Sequence, residues 1–187
     1  MDIMNDVSLI IGEIETVLGR VPSEAVENLL HFILGAPRIF VAGTGRSALM
    51  ARAFAMRLMH LGLEVYVVGE AVTPAASKGD LLIVASGSGA TESVAAIAAK
   101  AKNKGLDIAL LTIVSQSPIG NLADCTIRIP SPSPKARLKG DETESVQPMG
   151  TLFEQAMMVL FDAMVLQLMK KKRHGMAAMF ERHANIE

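Results

Sequence analysis

Cysteine is almost missing from this chain. Among 187 residues only Cys125 occurs, which excludes an internal disulfide framework and fits a reducing, cytoplasmic setting. Cys125 lies in the apolar run 123–129 and reads as a core residue, not a nucleophile. An excess of charge of either sign is missing too. Eighteen Lys and Arg against 19 Asp and Glu leave a net charge of −1, so nothing electrostatic points to nucleic acid as a partner. The one basic cluster, Lys170-Lys171-Lys172-Arg173, reads as the dipole-complementing end of a long helix. No basic n-region opens the chain, where Asp2, Asp6 and Glu13 fall, and no signal peptide is expected. The most apolar long stretch, 156–169, holds Asp162 and Gln167 and is too short and too polar to suggest a membrane. No His, Cys and carboxylate spacing resembles a metal site, so neither metal nor other cofactor is expected. Internal repeats and a second domain are not evident.

What is present is periodicity. Half of the residues are hydrophobic, enough for one substantial core, and the twelve methionines read as core filling. Ile3, Val7, Ile10, Ile11, Ile14, Val17 and Leu18 keep a 3.6-residue period, so 3–18 is a helix. Pro22 opens a second helix that stops near Gly35 and Pro37, which makes 1–35 a helical N-terminal part. Short apolar runs then alternate with helical ones. Strands are expected at 38–42, 65–68, 80–85, 108–113 and 125–129, helices over 46–61 and up to about 103, and a helical turn at 118–122. That alternation predicts an α/β fold: a three-layer αβα sandwich around a five-stranded parallel sheet in the flavodoxin-like order 2-1-3-4-5. The Pro-rich, polar stretch 130–150 reads as a long loop and a candidate lid. A last helix is expected over 151–173, apolar almost all round and therefore covered on most sides, in part by another subunit. Gly175 is its expected stop, a short tail follows, and the whole of 1–187 forms one domain.

Two Gly/Ser loops carry the chemistry. Gly43-Thr44-Gly45-Arg46-Ser47 follows the first strand, and Ser86-Gly87-Ser88-Gly89-Ala90-Thr91 follows the third. In the expected order these strands are neighbours, so both loops flank one crevice at their carboxyl ends. Glycines admit close approach of a ligand to the backbone, and helix starts present free N–H groups to an anion. The ligand implied is a small phosphorylated molecule gripped from two sides. Ser86, Ser88 and Thr91 add hydroxyl donors, although an ordinary turn with a serine N-cap reads the same way. The second loop lacks a Gly-Lys-Ser/Thr triplet and the first lacks the third glycine of a dinucleotide fingerprint, which turns both away from nucleotides. Arg46 either meets a phosphate or a sugar hydroxyl or is an exposed first-turn arginine. Glu154 closes the pattern Thr151-Leu152-Phe153-Glu154, a capping box. Beside Phe153 it can also be a partly desolvated general base with a raised pKa. His60 ends a helix, where it complements the dipole or reaches the substrate. His183 is either solvated or inserted into a neighbouring subunit.

At the two loops the chain resembles the sugar isomerase (SIS) domain. Stretches 53–62, 68–74, 147–155 and 182–185 extend the likeness to the 6-phospho-3-hexuloisomerases, and Gln147-Pro148-Met149-Gly150-Thr151-Leu152-Phe153-Glu154 is the most specific part. The resemblance implies interconversion of D-arabino-hex-3-ulose 6-phosphate and fructose 6-phosphate through an enediol, in the ribulose monophosphate route of formaldehyde fixation. It implies that Ser47 and the loop 86–91 bind the substrate, with Gly45 and Arg46 in the first loop, and that Glu154 accepts the proton. It favours a tetramer. The family's second loop usually reads Ser-Gly-Ser-Gly-Glu-Thr; here Ala90 replaces the glutamate and contributes only its backbone N–H. A donor near the substrate oxygens, such as His60, suits an enediolate. Two other functions fit the loops: a different phosphosugar aldose–ketose isomerase, and a non-catalytic phosphosugar-sensing module. Sensors of that kind usually carry an appended DNA-binding region, and no basic recognition helix precedes the first strand.

Overall fold

The computed structural model describes residues 2–134 and 144–186. Two helices, α1 (Ile3–Leu18) and α2 (Ser23–Gly35), precede the alternating part. That part runs β1 (Ile39–Gly43), α3 (Gly45–His60), β2 (Val65–Val67), β3 (Leu81–Ala85), α4 (Glu92–Asn103), β4 (Asp107–Thr112) and β5 (Cys125–Arg128), with a 3-10 turn at Gly120–Leu122. Helices α5 (Thr151–Lys172) and α6 (Met176–Phe180) follow. The sheet order is β2-β1-β3-β4-β5 and every pairing is parallel, as the alternation of strands and helices predicts. Strand ends shift by about one residue from the sequence expectation, because hydrogen bonding and not hydrophobicity decides them. Arg38 and Asp80 fall just before β1 and β3, and pair with each other at 2.6 Å.

Side chains of successive strand residues point to opposite faces. Ile39 and Val41 pack under α1, α2, α3 and α5, whereas Phe40 and Ala42 pack under α4. Cys125 is buried in the first of these clusters, and burial, then Asp124, pushes its thiol pKa up; it is a core residue. Helix α5 is long and apolar enough, by length and composition alone, to cross a membrane. In this fold most of its apolar side chains, among them Leu152, Phe161 and Leu168, enter the core, while Val159 and Leu166 stay exposed, and it packs on α3 and α1. Phe161 stacks on Phe54 of α3 with ring centroids 4.1 Å apart. The stop of α5 is not Gly175. Arg173 ends it in the left-handed conformation (φ 55°), and Gly175 instead precedes α6 as its N-cap. The central part of the expected lid, 135–143, lies outside the described residues.

Candidate active site

Three segments converge at the carboxyl ends of β1 and β3. Gly43 and Ala85 are register partners in the sheet, so the two Gly/Ser loops leave it side by side. The second loop is held from below by β4. The Gly87 carbonyl accepts from Ile113 N (3.0 Å) and from Thr112 Oγ1 (3.0 Å). Gly89 takes φ +60°, and a Cβ there would collide with Ser117 Oγ, so both conformation and space require glycine. With the carbonyl of Gly87 tied to β4, the loop's remaining donors and the start of α4 are left for a ligand. Helix α4 begins at Thr91 with no side-chain cap, which replaces the serine N-cap reading. Ser88 Oγ instead accepts from Ala90 N at 3.2 Å, so the backbone N–H expected from Ala90 is already engaged within the loop. Ser86 is buried, and its Oγ has no hydrogen-bond partner among the described residues. An uncommitted buried hydroxyl calls for a partner that the protein does not provide.

The third segment is the first turn of α5. The Phe153 ring lies 3.5 Å from where a Gly87 Cβ would be, so α5 packs directly on the second loop. The next residue, Glu154, reaches the first loop: its Oε2 accepts from Arg46 Nε at 2.7 Å. The capping box is therefore not formed. Gly150 is the N-cap of α5, no side chain caps it, and Glu154 spends its carboxylate on an arginine 108 residues away in the chain. Arg46 is not a free surface arginine, although half of its side chain remains exposed. Ser47 is half-buried in the same first turn of α3. Gly45, Arg46, Ser47, the loop from Ser86 to Thr91, and Glu154 thus belong to one place.

His60 does not. It ends α3, fourteen residues after Arg46, which is about 21 Å along a helix that rises 1.5 Å per residue. It is buried, and burial, then Arg57 and His183, pushes its pKa below the ordinary value. A charged cap on the helix dipole is thereby replaced by a neutral, desolvated imidazole. His183 stacks on His60 within the same chain, with centroids 5.4 Å apart, and Phe180 stacks on His183 in turn. The Arg182 guanidinium passes close against Gly62. The two histidines gather with each other at the end of the sheet opposite Glu154.

Two contributors escaped the sequence. The end of β4, with Ile113 and Ser117, forms the seat of the second loop; the apolar run marks a strand but not what it supports. Glu13 of α1 bonds the segment that leads into α5, and no local pattern links residues so far apart.

Paired Gly/Ser loops at the carboxyl ends of two central strands, with an acid reaching them from a following helix, mark an α/β domain whose candidate site lies at the switch point of its sheet. The SIS domain family matches residues 32–166, and the chain belongs to it. Its similarity runs further along the chain. It is 45% identical over 181 residues to the 3-hexulose-6-phosphate isomerase of Bacillus subtilis, covering 97% of each. It is 42% identical over 188 residues to that of Mycobacterium gastri, covering all of this chain and 92% of the relative. A hypothetical protein from Methanococcus jannaschii, whose crystal structure infers 3-hexulose-6-phosphate isomerase as its function, superposes with a TM-score of 0.85. It is 33% identical and the match covers 98% of this chain and 99% of that one.

Proposed function

We propose that the protein interconverts D-arabino-hex-3-ulose 6-phosphate and D-fructose 6-phosphate. The observation that carries this reading is Glu154: a carboxylate held by Arg46 beside two phosphate-type loops, on a chain similar over nearly its full length to proteins named for this reaction. Moving the carbonyl from C3 to C2 requires removal of the C2 proton as O3 gains one, a 2,3-enediol, and return of a proton to C3 as the O2 hydroxyl gives its proton up. Glu154 accepts and returns that proton. Ser47 and the donors of 86–91 hold the phosphate, and the binding energy places C2 and C3 against the base. Arg46 orients the carboxylate and offers its remaining N–H groups to substrate oxygens. Neither cofactor nor metal takes part. The reaction belongs to the ribulose monophosphate route of formaldehyde fixation and takes place in the cytoplasm.

The same reading covers assembly. The chain 1–187 works as one SIS unit within a homotetramer, and exposed His183, backed by buried His60, acts on a second copy. Within one chain His60 is too far along α3 to meet Glu154. Support for contact between copies comes from exposed apolar stripes, Ile3, Met4, Val7 and Ile11 on α1 and Leu49, Met56 and Met59 on α3. The test is a coupled assay for fructose 6-phosphate formed from the 3-ketohexose phosphate, with light scattering on the same sample. Turnover by an oligomer is expected, and mixing Glu154→Gln with His183→Ala should restore activity that neither shows alone. Absence of turnover by the wild type would refute the activity; a monomer at micromolar concentration would refute the assembly.

A further inference from the structure

We propose that Glu13, on the N-terminal helix α1, is a positioning residue for Glu154, acting by clamping the turn from which α5 springs. This rests on the isomerase reading above. Glu13 is half-buried and accepts three hydrogen bonds from three consecutive residues. Ser145 Oγ donates to its Oε2 at 2.7 Å, Gln147 Nε2 to the same oxygen at 2.9 Å, and Val146 N to Oε1 at 2.9 Å. Gln147 N closes the arrangement by donating to Ser145 Oγ at 3.0 Å. Burial works to raise the Glu13 pKa, and the bonds from Ser145, Gln147 and Val146 outweigh it, leaving the carboxyl below its ordinary value. An ionised carboxylate matched by three donors is a strong anchor.

The turn it anchors has little else to define it. Helix α5 starts at Gly150 without a side-chain cap. Met149 sits at φ 59°, a left-handed conformation that a non-glycine residue keeps only where its surroundings impose it. Thr151 N donates to the Pro148 carbonyl and Glu154 N to that of Gly150, so the backbone is continuously bonded from the turn to the base. Gln147 itself is buried. A shift at 145–147 therefore moves the start of α5 and, with it, the carboxylate that Arg46 holds from the other side. One acid does the chemistry and a second, on an element outside the alternating fold, sets where the first one stands.

The test compares wild type with Glu13→Ala, Glu13→Gln and Ser145→Ala, and with Glu15→Ala, an exposed control on the same helix. The coupled assay for fructose 6-phosphate is run well below each melting temperature. Glu13→Ala is expected to lower kcat about 10- to 100-fold, the effect of a small misplacement of a catalytic group, with KM nearly constant. Glu13→Gln is expected to recover part of it: one oxygen still accepts, and the new amide can donate to Gln147 Oε1, which has no partner among the described residues. A purely structural role would lower the melting temperature and leave kcat of the folded enzyme unchanged, and that result would overturn the proposal. If Glu13→Ala does not fold, Ser145→Ala decides: a severalfold loss of kcat at unchanged KM supports the clamp, and wild-type kcat refutes it. An active wild type with unaltered variants refutes the clamp alone, whereas an inactive wild type refutes the isomerase reading and the clamp together.

Discussion

At the scale of the residue, Glu154 concentrates the chemistry. Its Arg46 partner has a side chain 52% exposed against 15% for Glu154, so the pair resembles a surface ion pair and contributes only about 0–1 kcal/mol to stability. Loss of a general base, by contrast, typically costs 10²- to 10⁴-fold. Glu154→Gln should therefore melt close to wild type and lose at least about 100-fold in kcat, read by the coupled assay and a thermal melt. A variant with near wild-type turnover would remove Glu154 from the mechanism. The sequence singled out Glu154 through the Thr151-x-x-Glu154 pattern and supported two roles for it. The structure removes the cap, since Gly150 and not Thr151 takes the N-cap position. A capping pattern is local, and a local pattern cannot register an arginine on another helix.

At the scale of the element, α5 joins the site to the core. Its first turn carries Phe153 and Glu154 at the crevice, and its middle stacks Phe161 on Phe54. Phe161 is 1% exposed, so Phe161→Ala should cost about 3–5 kcal/mol, measured by urea unfolding. Strands, helices and loops were legible because burial on a sheet and on a helix writes distinct periods into the chain. The apolar residues almost all round α5 likewise implied cover on most sides, in part by another subunit; α1, α2 and α3 of this chain cover one side, and Val159 and Leu166 stay exposed. Its end was not legible: Arg173 adopts a left-handed conformation that its side chain does not advertise, ahead of the more obvious Gly175.

At the scale of the whole molecule, two groups among the described residues tie stability to acid pH. His60 and Glu13 both have pKa values lowered in the folded state, from ordinary values of 6.5 and 4.5. The folded protein then binds fewer protons than the unfolded chain at intermediate pH, so stability is full above these ordinary values and is lost as pH falls through the lowered ones. The melting temperature should decline in two stages on acidification. His60→Gln should flatten the first, since His60 faces Arg57 and His183 and cannot take up a proton cheaply. An unchanged melting profile in that variant would assign the first stage to another group.

Sequence alone determined the alternation of strands and helices, the parallel order, the two Gly/Ser loops and the acid that follows Phe153, because each is written in neighbouring residues or in a short period. Tertiary structure decided which of them meet. Arg46 with Glu154 and Glu13 with Ser145 and Gln147 are joined across more than a hundred residues. His60 is carried away from Glu154 by the length of α3. Such pairings depend on how helices stack on the finished sheet, and no periodicity along the chain encodes that stacking.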